Sequence, residues 1–351
     1  MNDTEIQVKL TQLSKGSGCG CKIEPAVLEK ILNENGDKLN TFQELIGGYE
    51  TKDDAAVWDL GNGNCLLSTT DFFTPIVDDP FSFGKISAAN ALSDIYAMGG
   101  KPSFALAILG YPVDKIPIDM AKQILEGARY ICRMAGIPIA GGHSIDISEP
   151  VFGLVVNGFV KKEFLMKNSG AKENDLLFLT KPIGTGIMAS AMKREKISRT
   201  DQDLAIDVMT RLNVVGERIS RVKGVHAITD VTGFGLLGHL IEMCEASDVS
   251  AELDFKSIPI ITGASVYIDQ FIFPDNTYRN WNAYEKKVSG ITGPAFVPLC
   301  DPQTSGGLLI AASPESEEAI KELLTEQGLA EFKKSIGTIV KKSDKVVHII
   351  E

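Results

Sequence analysis

Residues Val225 to Ala246 read VHAITDVTGFGLLGHLIEMCEA. Val225 to Thr229 has the apolar, β-branched character of a strand, and Leu236 to Ala246 has helical spacing. Between them, Gly233-Phe234-Gly235-Leu236-Leu237-Gly238 fits G-x-G-x-x-G, and Asp254 follows at the roughly 20-residue interval a dinucleotide fingerprint asks for. Against that reading, Asp230 and Thr232 put polar groups where the strand should run straight into the first glycine. A second turn, Gly184-Thr185-Gly186-Ile187-Met188-Ala189, follows another strand. Two such turns point to glycine used for close packing of strand on helix. The stretch thus decides between a doubly wound NAD-binding sheet and another α/β architecture.

Working outward, the chain alternates strands and helices. Ala55 to Leu60 and Cys65 to Thr70 read as strands around Gly61-Asn62-Gly63-Asn64. A helix follows from Phe83 to Met98, a strand from Ser103 to Leu109, a helix from Ile118 to Ala135, and strands at Ile137 to Ala140 and Phe152 to Val160. Downstream, Leu176 to Thr180 is a strand and helical stretches run to Arg221. Ser250 to Phe255, Leu308 to Ala312, Gly337 to Val340 and Val346 to Ile350 are late strands, with a helix from Glu315 to Glu326. Pro25 opens a short helix that closes near Gly36. Pro274 to Pro298 lacks periodicity and reads as a long loop. The polar run Lys167 to Asp175 is the boundary: residues 1–22 form a flexible arm, 23–170 a first domain and 171–351 a second.

At 351 residues, two domains are the natural expectation. A net charge of −11 argues against a nucleic-acid or membrane-surface binder, because no basic field is available to neutralise phosphate backbones. No apolar run reaches the roughly 18 residues of a membrane span, and no secretory core follows Met1. The expected location is cytoplasmic. Only Cys19 and Cys21 among the six cysteines are neighbours, so neither a zinc site nor a disulfide framework is expected. There is no G-x-x-x-x-G-K-[ST].

The chemistry-bearing residues are carboxylates and one thiol arm. Asp53 and Asp54 sit at the entrance to a strand, Asp71 ends the next, and Asp230 ends the strand quoted above. Asp94 lies in a helix whose other residues are almost all apolar or small, and a buried carboxylate needs a partner or a metal. Asn90 is one helical turn before it, on the same face. Taken singly, each aspartate reads better as a cap or turn residue. Together they suit Mg²⁺, which takes a few carboxylates plus substrate phosphates. Gly141-Gly142-His143-Ser144 follows a strand and reads either as an ordinary turn or as one whose backbone N–H groups form a nest for phosphate. Gly18-Cys19-Gly20-Cys21-Lys22 puts a thiol on a glycine-rich backbone, with a lysine placed to lower its pKa or to steady phosphate charge. The histidines are scattered, and none has the setting of a catalytic base.

These segments together resemble selenophosphate synthetase. The matching runs are Gly18 to Lys22, Thr51-Lys52-Asp53-Asp54-Ala55-Ala56, Ser68 to Phe73, Ala89 to Asp94, Ala140 to Ser144, Thr229 to Gly235 and Cys300-Asp301-Pro302-Gln303-Thr304-Ser305-Gly306-Gly307. The resemblance implies a two-domain aminoimidazole ribotide synthetase-like fold, with mixed sheets flanked by helices and N-terminal domains pairing in a homodimer. It implies that ATP, selenide and water give selenophosphate, AMP and phosphate, with Mg²⁺ as cofactor. Carried over by motif, Cys19 and Lys22 are catalytic, and Asp54, Asp94 and Asp230 hold the metal. Lys22, Thr51, Lys52, Asp53, Asp71 and Asp94 line the nucleotide site, and Gly142, His143 and Ser144 approach it from the partner subunit. Lys52 stands where arginine is frequent. The competing readings are a thiamine-phosphate kinase-like enzyme of the same fold, which would not need the arm, an NAD-dependent oxidoreductase, and a non-catalytic ATP-binding protein.

Overall fold

The computed structural model describes residues 8–14, 16–21, 31, 42–48 and 51–350. The helix expected between Pro25 and Gly36 falls outside them apart from Ile31, and Lys22 falls outside them entirely.

The first half builds β1 (Leu45–Gly47), β2 (Ala56–Asp59), β3 (Asn64–Phe73), α1 (Pro80–Ala97), β4 (Lys101–Gly110), α2 (Ile118–Met134), β5 (Ile139–Ile145) and β6 (Val151–Lys161). The strands form one six-stranded sheet in the order β1-β2-β3-β6-β4-β5. Only β4 and β5 pair in parallel. Both helices lie on one face, with α1 packed between α2 and strands β3 and β6. Asp79 starts α1 by accepting the Ser82 N–H at 2.7 Å, and Pro80 fills the first helical position. The helix is mostly small and apolar all round because nearly all of it is buried. Where α1 and α2 cross, a Cβ on Gly84 would meet the Ile124 carbonyl oxygen at 1.9 Å, and one on Gly127 would meet the Phe81 oxygen at 2.0 Å. The opposite face of the sheet carries exposed Trp58, Phe72, Phe104 and Phe159, which the pairing register places on one side.

The second half adds β7 (Leu176–Leu179), α3 (Thr185–Lys193), α4 (Arg199–Thr210), α5 (Val215–Ile219), β8 (Val225–Asp230), α6 (Gly235–Ser247), β9 (Ser250–Asp254), α7 (Ala264–Ile268), α8 (Asn276–Tyr284), β10 (Val288–Ser289), α9 (Gly293–Cys300), β11 (Leu308–Ala312), α10 (Glu317–Glu326), β12 (Gly337–Val340) and β13 (Val347–Ile350). Its seven strands run β10-β13-β9-β12-β7-β11-β8. Leu236, Leu240 and Ile241 of α6 cover one face, and Val215, Ile219, Ile320 and Leu324 of α5 and α10 cover the other. Strands covered on both sides need apolar side chains throughout, and β11 is buried at every position. Helices α3 and α4 pack instead into the core of the first half, where Ile187, Met188 and Met209 join Leu92.

This topology removes the dinucleotide reading. Strand β8 lies at the end of its sheet and is antiparallel to β11, and β9, which follows α6, pairs with β12 and β13. No β8–α6–β9 unit of adjacent parallel strands exists to open a Rossmann crevice. The glycines serve packing: a Cβ on Gly235 would come within 3.0 Å of the Leu299 and Asp301 oxygens, and one on Gly238 within 2.8 Å of the Tyr284 ring.

Two expectations are corrected. Gly141, Gly142, His143 and Ser144 are not a turn; they lie inside edge strand β5. A Cβ on Gly142 would meet the Ala107 oxygen at 2.1 Å, so glycine there permits close pairing with β4 and makes no phosphate nest. Pro274 to Pro298 is not a loop but holds α8, β10 and most of α9. Its pattern is hidden because α8 buries Thr277 and Asn280 alongside Tyr284. The Asn280 amide is satisfied by the Gly233 and Cys300 carbonyls, both at 3.0 Å. A helix held by buried amide bonds shows no apolar stripe.

Candidate active site

Aspartates from both halves meet at the domain junction. Asp54 lies in the approach to β2, Asp71 on β3, Asp94 on α1 and Asp230 at the end of β8. Thr229 donates its hydroxyl to Asp54 Oδ1 at 3.0 Å, tying the second sheet to the first half. Thr69 donates to Asp94 Oδ2 at 2.5 Å. Burial drives the Asp54 and Asp94 carboxyls well above their ordinary range, and the charge of Asp230 adds to both; Asp71 and Asp54 push Asp94 further. Burial likewise raises Asp53, although the Thr51 hydroxyl at 2.5 Å and Lys167 oppose it.

Like charges held together out of water need a cation or a proton. Asp54 Oδ2 is buried without a hydrogen-bond partner. The donors are hard oxygens, the class that suits a hard divalent cation. Among the described residues no three metal-ligating side chains close round one ion unaided. Such a cation would draw its remaining ligands from water and from a phosphate-bearing substrate.

The arm reaches this region. Residues Gly18–Cys21 form a short 3₁₀ turn, and Cys19 is fully buried. The glycine at position 18 is required: φ is +53°, and a Cβ would meet Thr304 Oγ1 at 2.5 Å. Cys19 N–H donates to Thr304 Oγ1 at 3.0 Å, and its thiol to Asn90 Oδ1 at 3.3 Å. Asn90, on the same helix as Asp94, turns its amide to Asp71. The arm is thus docked, with its thiol one side chain away from the acid cluster. Lys193 clamps the preceding backbone through the Ser14 and Gly16 carbonyls at 2.8 and 3.0 Å, and Asn276 holds the Gly20 carbonyl at 2.6 Å. A cavity of about 520 Å³ opens beside the arm between Lys193, Arg194, Phe273 and Arg279. Asp54, Asp71, Asp94 and Asp230 are not among the residues that line it.

Sequence reasoning underrated the loop between α9 and β11. Asp301 Oδ2 accepts the Gly186 N–H at 3.0 Å, and Gln303 Oε1 accepts the Gly184 and Thr185 N–H groups at 2.9 and 3.1 Å, so this loop caps α3. Ser305 N–H donates to Asn90 Oδ1 at 2.7 Å, and the Gly306 carbonyl accepts from Asn213 at 2.8 Å. One short loop therefore holds the arm, the start of α3 and the helix bearing Asn90 and Asp94. The signal was the motif itself, read as a family marker without a structural task.

Lys52, at φ +54°, reaches Glu242 on α6 at 3.5 Å, so it bridges the two halves. Thr51 is exposed beside Asp53. Gly142, His143 and Ser144 are exposed on β5, separated from Asp71 on β3 by β6 and β4, and do not join the cluster within one chain.

The chain matches the AIR synthase related protein, N-terminal domain, over residues 52–160 and the corresponding C-terminal domain over residues 172–350. It is 50% identical over 333 residues to the selenide, water dikinase of Pasteurella multocida, covering 95% of each chain. It is 50% identical over 326 residues to that of Escherichia coli K12, covering 93% of this chain and 94% of the relative. In fold it is similar to the thiamine monophosphate kinase of Aquifex aeolicus, with a TM-score of 0.67 at 16% identity, covering 92% of this chain and 94% of that one. No described helix is long and apolar enough to cross a membrane.

Proposed function

Since the chain belongs to the selenide, water dikinase family of AIR synthase related proteins, we propose that its acid cluster and docked arm are the site where ATP, selenide and water become selenophosphate, AMP and phosphate. The observation that carries this is the thiol of Cys19 held by Asn90, which also holds Asp71. A plain small-molecule kinase of this fold has no use for that thiol.

The γ-phosphoryl group passes to selenide, and the ADP left behind is hydrolysed to AMP and phosphate. Asp54, Asp94 and Asp230 are the residues that would hold Mg²⁺, which when bound offsets the charge that repels an anionic acceptor from the triphosphate. Thr229 and Thr69 orient Asp54 and Asp94. Thr51, Lys52, Asp53 and Asp71 line the nucleotide side, and Lys22 supplies positive charge from the arm. The arm would close over the cluster and keep bulk water out, so that selenide competes with hydrolysis.

The bare apolar face of the first sheet supports a homodimer, as does the open edge of β5, from which Gly142, His143 and Ser144 would reach the partner's nucleotide. We place the reaction in the cytosol, where the thiols stay reduced.

Anaerobic ³¹P NMR with ATP and Mg²⁺, with and without selenide, tests the reading. A selenophosphate resonance growing in step with AMP and phosphate is the expected result. ADP alone, or turnover indifferent to selenide, would overturn it in favour of a kinase of the same fold. The Cys19→Ser variant should bind ATP and form no selenophosphate.

A further inference from the structure

Lys181 follows β7 and is only 1% exposed. Its ammonium donates to the Ser305 carbonyl at 2.7 Å and stands 3.4 Å from the Ser305 hydroxyl. Ser305 has φ +51°, a left-handed backbone that costs an L-residue without special support. The turn is also wedged against backbone: a Cβ on Gly307 would meet the Lys181 backbone nitrogen at 2.3 Å, and one on Gly306 the Val231 carbonyl oxygen at 2.0 Å. Held this way, Ser305 points its N–H at Asn90 Oδ1, the oxygen that receives the Cys19 thiol.

We propose that Lys181 is a positioning residue for the reaction: it fixes the Ser305 turn, so that Asn90 keeps its carbonyl on the Cys19 thiol and its amide on Asp71. This rests on the reading of Cys19 as the reactive thiol. Burying an ammonium is costly, and here desolvation pulls Lys181 down to about 7, with Arg211 adding to the effect and Asp230 opposing it. An apolar side chain would fill the space without that cost, losing the bond to Ser305 and the attraction of Asp230. Of the two, the bond to Ser305 is the one that places the turn. Nothing in the capping of α3 by Asp301 and Gln303 requires it.

The test compares Lys181→Met, which keeps the volume and removes the donor, with Lys181→Gln, which keeps a donor without the charge. Cys19 alkylation by iodoacetamide is followed by mass spectrometry of its peptide, beside selenide-dependent AMP formation. For Lys181→Met, alkylation should rise about tenfold and kcat fall about 10²-fold, the size of effect a misplaced group produces, with KM for ATP little changed. Lys181→Gln should restore most of both. Wild-type alkylation in Lys181→Met overturns the proposal, whether or not turnover falls, since a merely structural lysine would lower thermal stability and leave the thiol's cover intact. If Lys181→Met does not fold, Lys181→Leu carries the test: it also removes the donor to the Ser305 carbonyl, so faster alkylation is expected, and an unchanged rate overturns the proposal. The alkylation arm needs neither selenide nor turnover, so it stands even if the chain makes no selenophosphate.

Discussion

The acid cluster and Asp301 differ in what raises their carboxyls. Asp54 and Asp94 are raised by burial and by other aspartates, chiefly Asp230. Asp301 is raised to about 8 by burial alone, while its own hydrogen bonds pull the other way: Gly186, at the start of α3, and Gln303 both donate to Oδ2. Repulsion that the fold maintains without relieving marks a place where a cation is awaited. Desolvation offset by local hydrogen bonds marks a carboxyl that organises backbone. On the proposed reading, the first kind serves the reaction and the second the frame.

Substitutions should separate the two. Asp94→Asn should lower AMP formation by about 10³-fold, the scale of losing one preorganised electrostatic group, while the urea midpoint holds or rises because a repelling charge has gone. A lowered midpoint with retained turnover would reverse the assignment of the two groups. Asp301→Ala should behave oppositely, costing about 2 kcal/mol of stability by urea unfolding and leaving turnover per folded molecule largely intact.

The pH dependence sharpens the contrast further. A carboxyl whose folded pKa is about 8 against an ordinary 3.8 binds more protons in the folded chain than in the unfolded one. Its contribution is therefore fully present below pH 3.8 and drains away as pH rises through 8. Asp301→Asn should flatten that part of the stability profile between roughly pH 5 and 8, and a slope identical to the parent would show that Asp301 is ionised throughout. The smallest effect is proton release. Adding Mg²⁺ at mildly acidic pH should expel protons from the Asp54–Asp94–Asp230 cluster, read by calorimetry in two buffers of different ionisation enthalpy. Asp94→Asn should shrink the release and Asp301→Asn should not.

Most of the architecture was legible in the sequence because strands such as β11, buried on both faces, are written as uninterrupted apolar runs. What escaped was polar or glycine-built. Helix α8 turns Thr277 and Asn280 inward and so shows no stripe. The glycines of β5 read as a turn because glycine usually signals one, whereas here it permits close approach of strands. The acid cluster was found from carboxylates at strand ends. Asn90, noted only as a neighbour of Asp94 on one helical face, instead bonds Asp71, Cys19 and Ser305 across long sequence separations. Lys181 escaped for the same reason: its partner is 124 residues away, and no local pattern encodes it.

The crossing of α1 and α2 at Gly84 and Gly127 limits how this lineage can drift. At that crossing the obstacle to a new methyl group is peptide backbone, which has no alternative rotamer to retreat into. A mutation there can be accommodated only by displacing a whole helix, and α1 carries Asn90 and Asp94 with it. Two glycines that touch no substrate are thereby bound to the fate of the chemistry, and a survey of tolerated variants should find them as intolerant as the acids they hold in place.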